Sequence, residues 1–301
     1  MDIEQLIKKY VEEYEGCTYT YIANKILQEE STGLSHRTLR EKVSIYDKKL
    51  KESKDYPGVG GEPFTIEFND SMWVKEPRLQ PYLGGDPNVV LIIGDIHEPF
   101  CREGYLEHCR EYQEALGAGT VVFIGDILDS HYSSFHPSDP DGYGAGEELD
   151  RAMDKIAEWY RVFPVAKVCL GNHDQIIQRK AFASGVSKRW VRGLGEVLQT
   201  PNWEYDIEFV INNVLYTHTL GANLINAAIN RRQSVVAGHI HTKATIEYNV
   251  NKQDRIFAMQ VGCGIDDSSY AFAYAKLNVK KSIISCGAVV NDIPMLIPMQ
   301  L

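Results

Sequence analysis

The stretch NVVLIIGDIHE (88–98) runs an unbroken apolar, β-branched segment into a glycine, an acid and an imidazole. Such a run reads as a strand buried on both faces, with Asp95 and His97 standing where it ends. The same order recurs further along the chain. TVVFIG (120–125) runs into Asp126, and VAKVCLG (165–171) runs into Asn172, His173 and Asp174. VINNVLYT (210–217) runs into His218, and SVVAG (234–238) runs into His239, Ile240 and His241. A lone Asp after a glycine is an ordinary turn residue, and a lone loop histidine is ordinarily a surface or core side chain. Five strand ends in order, all carrying nitrogen or oxygen donors and no thiolate, predict a metal site. In extended backbone, residues two apart share a face. Asp95 with His97, and His239 with His241, are therefore expected to point the same way.

Helical patterns separate several of these runs, as in REGYLEHCREYQEALGAG (102–119) and GEELDRAMDKIAEWYRVF (146–163). Strands alternating with helices predict α/β architecture. In such sheets the carboxyl ends of the strands gather on one side and line the binding crevice. Residues far apart in sequence then converge.

Composition bounds the alternatives. The chain has 301 residues, 44% hydrophobic and 24% charged, which excludes a disordered, collagenous or low-complexity protein. A net charge of −10 argues against a whole-protein nucleic-acid coat and is compatible with carboxylates gathered to hold metal. The six cysteines form no CxxC pair, so free thiols in a reducing cytosol are expected. No apolar run approaches the roughly 18 residues of a membrane helix. The acidic, helix-patterned MDIEQLIKKYVEEYEG (1–16) does not read as a signal peptide. A cytoplasmic protein, of a bacterial or phage-infected cell, with no membrane partner is the expectation.

The charged and then Gly/Pro-rich KESKDYPGVGGEP (51–63) reads as a linker. The expected division is a helical domain over 1–55, a linker over 56–75 and a main domain over 76–301. Before the linker, Ile3, Leu6, Ile7 and Tyr10 recur at helical spacing, as do Ile22, Ile26 and Leu27. Gly33 then stops the pattern and Ser35 can cap a third helix. YIANKILQEESTGLSHRTLREKV (21–43) resembles the helix-turn-helix of bacterial DNA-binding proteins. From Arg37 to Lys54 there are seven Lys/Arg against three Asp/Glu, as a groove-reading helix requires. DNA contact through residues 20–50, and a homodimer, are the implied expectations. A solvated packing or dimerisation module is the plainer reading.

GDIHE (94–98), GDILD (125–129), GNHD (171–174), His218 and GHIH (238–241) resemble the motifs of the calcineurin-like metallophosphoesterases. The C-terminal strands, including MQVGCGIDD (259–267) and AFAYAK (271–276), look like the second sheet of that family's fold. A helix-turn-helix joined to such a domain and a GCGID segment resembles phage or prophage members. The resemblance implies a two-sheet αββα sandwich holding two divalent ions bridged by one carboxylate. Carried over, Asp95, His97, Asp126 and His241 hold one ion. Asp126 bridges to the second, completed by Asn172, His218 and His239. His173 is the catalytic residue outside the metal shell, and Asp129 hydrogen-bonds His173 and orients it. The oxygen and nitrogen donors suit Mn²⁺ first, with Fe²⁺ or Zn²⁺ as alternatives.

Departures narrow the branch. Protein Ser/Thr phosphatases of this superfamily carry Gly, Arg and Glu where this chain has Glu98, Ser130 and Asp174, and they lack the GHxH form. Thr219 stands where many relatives have Gly, and Ile240 replaces a commoner Thr. The pattern looks more like the phosphodiesterase and nuclease branch, with nucleic acid or a nucleotide as substrate. The competing readings are a phosphomonoesterase acting on nucleotides or proteins, and a nucleic-acid-binding regulator on a non-catalytic scaffold. In HYSSFHPSDPDGYG (131–144), His131, His136, Tyr132, Phe135 and Tyr143 are candidates to touch substrate or simply to pin a loop. Arg231 and Arg232 can meet phosphate or merely end a helix. Asp266 and Asp267 read as a pair behind the metal ligands or as a turn. His36 and His108 read as structural.

Overall fold

Alternate residues of the first apolar run face opposite ways, and both ways lead into packed core. In the computed structural model, Val89, Leu91 and Ile93 belong to one hydrophobic cluster and Val90 and Ile92 to another. This is the period-2 signature of a strand covered on both faces. The structure describes residues 3–13, 22–23, 25–26, 39, 42–43, 79–134, 142–268 and 281–300. The chain divides into two compact units, Met1–Lys75 and Glu76–Leu301.

In the first unit, helix α1 (Ile3–Glu13) buries Leu6, Ile7, Tyr10 and Val11 in a cluster with Ile22, Ala23, Ile26, Leu39 and Val43. The helical spacing expected for Ile3 to Tyr10 is present. The proposed turn at Gly33, the cap at Ser35, most of the basic stretch from Arg37 to Lys54, and the 56–75 linker lie outside the described residues.

The second unit opens with β1 (Asp86–Ile93), α2 (Tyr105–Leu116), β2 (Ala118–Phe123), α3 (Ala145–Val162), β3 (Ala166–Cys169) and α4 (Ile176–Ala183). A single 3₁₀ turn (Lys188–Trp190), α5 (Leu194–Leu198), β4 (Trp203–Asp206), β5 (Glu208–Ile211) and β6 (Val214–Thr217) follow. The chain then forms α6 (Leu224–Arg231), β7 (Ser234–Ala237), β8 (Thr245–Val250), β9 (Arg255–Gln260), β10 (Ser285–Val290) and β11 (Ile293–Pro298). One sheet has the order β11-β10-β1-β2-β3-β4 and the other β5-β6-β7-β9-β8. Strands β1 to β4 are parallel, as are β6, β7 and β9; β10 lies antiparallel to β1.

Three apolar clusters hold these layers together. Tyr105 and Cys109 of α2, and Ala152, Ile156, Trp159 and Val162 of α3, pack on the outer face of the first sheet. Val90, Ile92, Val122 and Ile124 meet Phe209, Tyr216, Val236, Phe257 and Met259 between the sheets. Ala228 of α6 packs on Leu215, Val235, Ile256 and Ala258 of the second sheet. The layer order is therefore helix, sheet, sheet, helix, and this two-sheet α/β arrangement fits the expected sandwich. The apolar residues of α3 recur every three or four positions, which makes one buried stripe.

Two local expectations change. VINNVLYT is two strands, β5 and β6, because Asn212 and Asn213 take φ of 50° and 60° and turn the chain back. Consecutive left-handed residues make the tight hairpin turn that asparagine tolerates well. The C-terminal β10 and β11 join the first sheet, whereas β9, which leads into GCGIDD, lies in the second. Residues 271–276 lie outside the described residues. Cys101, Cys109, Cys169, Cys263 and Cys286 are free thiols, and Cys17 is outside the described set. Among the described residues no helix is long and apolar enough to cross a membrane.

Candidate metal centre

The ends of β1, β2, β3, β6 and β7 deliver the sequence-predicted residues to one place. Asp95, His97, Asp126 and His218 are buried there, His241 is half-buried and His239 is exposed. The extended-backbone reason for pairing Asp95 with His97 does not hold. His97 has φ 46°, Asp126 φ 48° and His239 φ 73°. These side chains converge through left-handed turns just past the strands, not through the pleat. Such conformations cost energy for residues other than glycine and are held by their surroundings.

Two glycines make the approach possible. A Cβ on Gly171 would stand 2.0 Å from Asp126 Oδ1, and one on Gly238 would stand 2.2 Å from Asp95 Oδ1. Both are far inside contact distance, so the carboxylates occupy the space a larger residue would fill. Backbone donors fix them: His173 N–H donates to Asp126 Oδ1 and His239 N–H to Asp95 Oδ2, each at 2.8 Å.

Among the described residues, three sets have their ligand atoms within 4.8 Å of one another inside each set: Asp95, His97 and His241; His97, Asp126 and His173; and Asp126, His218 and His239. Asp126 and His97 each belong to two sets. His218 Nε2 stands 3.1 Å from Asp126 Oδ2, 3.1 Å from Asn172 Oδ1 and 3.2 Å from His239 Nδ1. His241 Nε2 stands 3.1 Å from Asp95 Oδ2. The other carboxylate oxygen, Asp95 Oδ1, is buried with no hydrogen-bond partner. A buried acceptor so placed among imidazoles is what a cation satisfies. The donor set fits divalent metal.

The histidine tautomers agree with this. His97 Nδ1 donates to Asp129 Oδ1 at 2.7 Å, which turns Nε2 toward Asp126 Oδ2 at 3.6 Å. His218 Nδ1 donates to the Ile124 carbonyl at 3.2 Å, leaving Nε2 to face the acceptors. A second nitrogen held this way is the usual support of a metal-bound imidazole.

Charge is concentrated here. Burial lowers the His97 pKa despite Asp129 and keeps the ring neutral. Burial lowers His239 as well, helped by neighbouring His218. Burial alone would lower His218, but the charges of Asp95 and Asp126 prevail and raise it to about 9. His241 is raised in the same way, by its bond to Asp95 against burial. Burial would raise the Asp126 carboxyl, yet His218 and His97 hold it well below the usual range.

One expected contact is made by different atoms. The bond between Asp129 and His173 runs from His173 Nδ1 to the Asp129 carbonyl. The Asp129 carboxylate is bonded to His97 and stays 3.9 Å from His173. His173 is 28% exposed, and Nδ1 is the ring nitrogen that meets the Asp129 carbonyl.

Two acids carry more than sequence reasoning assigned them. Asp174 accepts from the backbone N–H groups of Ile127, Leu128 and Gly171, tying the GDILD and GNHD loops together. Burial, with the charge of Asp126, raises its pKa to about 7. Glu98 accepts from Trp159 Nε1 at 2.7 Å, and burial raises it to about 7. Their signal was available in sequence only as the departure of these positions from the phosphatase pattern.

Other candidates fall elsewhere. Arg231 stands 3.9 Å from Glu208, and Arg232 pairs with Asp254 at 2.8 Å. Asp266 accepts from Ser268 and Asp267 from Ser282, so both serve loops. His108 meets the Ile297 carbonyl. Tyr143 stacks on Phe100, and the Arg151 guanidinium lies 4.2 Å from its ring centre. His36, Phe135 and His136 lie outside the described residues.

Residues 89–243 match the family model for calcineurin-like phosphoesterase. The chain belongs to this family. Among solved structures it is similar to Yfce, a phosphoesterase from E. coli, at 17% identity and TM-score 0.32, covering 68% of this chain and 90% of that one. It is similar to Vacuolar Protein Sorting 29 from Cryptosporidium parvum at 11% identity and TM-score 0.36, covering 73% and 99%. The nuclease MPE of Pseudomonas putida aligns at 11% identity and TM-score 0.27, covering 70% and 87%. No curated protein matches the sequence.

Proposed function

We propose that this calcineurin-like phosphoesterase is a two-metal hydrolase that cleaves phosphodiesters, with nucleic acid or nucleotides as its substrate class. The observation that carries the reading is the double membership of Asp126. It shares one donor set with His97 and His173 and another with His218 and His239. Asp126 is the residue that two ions would share: His97 Nε2 and His218 Nε2 both face its Oδ2, while Oδ1 accepts from His173 N–H. Asp95, His97 and His241 would complete one ion's ligands. Asn172, His218 and His239 would complete the other's, with the neutral Asn172 limiting the negative charge of the cage. When bound, two divalent ions neutralise phosphoryl oxygens and lower the pKa of an attacking water. Mn²⁺ leads the candidates, with Fe²⁺ and Zn²⁺ behind it.

The chain's own part is positional and protic. Asp174 holds the Asp126 and His173 loops in register through three backbone N–H groups. Asp129 sets the His97 tautomer. His173, anchored through Nδ1 by a carbonyl, can carry a proton on Nε2 and give it to the departing ester oxygen. The preference for diesters rests on the GHIH form and on Ser130 standing where the phosphatases have Arg. The basic stretch from Arg37 to Lys54 supports a nucleic-acid partner.

The test is to count metals in purified protein and assay bis-p-nitrophenyl phosphate beside p-nitrophenyl phosphate with added Mn²⁺. Diester cleavage by protein holding two metals supports the reading. Ready release of phosphate from monoesters with no diester turnover overturns the diester preference. Absence of both metal and turnover overturns the enzyme.

A further inference from the structure

A cavity of about 570 Å³ opens between α3, α4 and α5. Part of its wall comes from the loops that build the metal centre. Glu98 follows His97, Leu128 and Ser130 flank Asp129, and Asp174 follows His173, and all four line the cavity. The rest of the lining is largely apolar. Leu149 of α3, Ile177 of α4 and Trp190 of the 3₁₀ turn are 36%, 50% and 84% exposed. Large apolar side chains grouped in a concavity beside a reactive centre are the usual make-up of a small-molecule site, and the volume lies within the usual range of about 300–1,000 Å³.

The acids in the wall decide what kind of group enters. Glu98 is engaged by Trp159 Nε1, and Asp174 by three backbone N–H groups. Glu148 accepts from the backbone N–H groups of His131 and Tyr132 at 2.6 and 2.9 Å. These carboxylates serve the protein's own loops and leave little acceptor capacity for a cation. Arg192, the cation in the lining, stands 3.7 Å from Glu196 and is already paired. A neutral, largely apolar occupant fits. Tyr132 and Trp190 add aromatic surface to the lining, on which a flat ring can stack.

We infer that this cavity seats the neutral arm of the diester, a nucleobase with its sugar, while the phosphate lies at the metal centre. The inference rests on the phosphodiesterase reading and adds to it the place where a nucleoside is recognised.

The experiment compares thymidine 5′-(p-nitrophenyl) phosphate with methyl p-nitrophenyl phosphate, which share a leaving group and differ in the other arm. The ratio of their kcat/KM values is measured for wild type, Trp190→Ala and Ile177→Ser. A ratio at least tenfold lower in either variant supports the cavity as the nucleoside subsite. An unchanged ratio in both overturns it, leaves the diesterase reading standing and points to a macromolecular partner for this face. Thymidine is also titrated into chelator-treated protein while tryptophan fluorescence is followed, with Trp190→Phe as reference. If neither diester is cleaved, the function reading fails and this titration decides the cavity. A saturable signal that Trp190→Phe loses supports it, and no thymidine-dependent signal overturns it.

Discussion

The Asp129 carboxylate accepts the Nδ1 proton of His97 at 2.7 Å and so fixes which nitrogen of that imidazole faces the centre. The same residue holds His173 through its carbonyl, an atom that no side-chain substitution removes. Asp129→Asn can still accept from His97 but loses the negative charge that makes the ring a better ligand. Metal affinity is expected to fall about 10- to 100-fold, with a smaller drop in kcat at saturating metal. Mn²⁺ titration with activity as readout checks this. A kcat loss at saturating metal as large as the affinity loss would place the Asp129 side chain behind His173 instead.

Asp126→Asn removes the one carboxylate shared by two donor sets. The expected outcome is loss of turnover together with loss of bound metal, the chain remaining folded. Elemental analysis beside circular dichroism separates this from unfolding. Full metal content in the variant would refute a bridging role.

His173→Ala should cost about 10²- to 10⁴-fold in kcat on diesters with poor alkoxide leaving groups, the usual worth of a general acid. The cost should shrink for p-nitrophenolate, which leaves without a proton. Rates of wild type and variant against leaving-group pKa provide the check. A penalty independent of leaving group means that His173 acts through the metals or through binding.

Glu98 links pH to stability. Burial raises its folded pKa to about 7, above the 4.5 of a solvated glutamate. Between those values the folded chain keeps a proton that the unfolded chain has released, so stability falls as pH rises. The full penalty, at most about 3 kcal/mol, is reached above pH 7. Glu98→Gln keeps an acceptor for Trp159 and removes the charge. In chelated protein its Tm should exceed that of wild type by a margin that widens from pH 5 to pH 8. A constant difference would mean that Glu98 titrates normally.

The first unit can be tested by removal. Deleting residues 1 to 60 should weaken nucleic-acid binding and flatten its dependence on salt, because the basic stretch from Arg37 to Lys54 goes with it. Cleavage of a small chromogenic diester should persist, since every proposed ligand lies at Asp95 or later. Equal nucleic-acid affinity with and without these residues would remove them from substrate delivery.

The strand ends were legible because chemistry and hydropathy coincide there: each buried run ends at a donor, and four of the five pass through a glycine first. What stayed hidden depends on contacts between distant residues. That the Asp129 carboxylate serves His97 and not His173 follows from left-handed turns at His97 and Asp126, and an i, i+2 rule for strands does not describe such turns. The Asn212–Asn213 turn was visible as a dipeptide, yet the flanking apolar residues made a single run the simpler reading. Glu98 looks like any exposed acid until Trp159, 61 residues away, is folded against it. The cavity has no sequence signature, since its lining comes from three helices, the 3₁₀ turn with the residues after it, and three loops.

The place of β10 has a consequence for the order in which this protein matures. Val90, Leu91 and Ile92 pair with Val289, Ala288 and Gly287, and the backbone of Asp95 is clasped by Cys263 and Gly264. A ribosome that has passed His241 has already made every proposed ligand. The strand carrying the first of them still lacks one neighbour. β1 is therefore flanked on both sides only once residues 285 to 290 have been made and dock beside it. A nascent chain stalled before that point carries every proposed ligand on a sheet whose first strand has one edge unpaired.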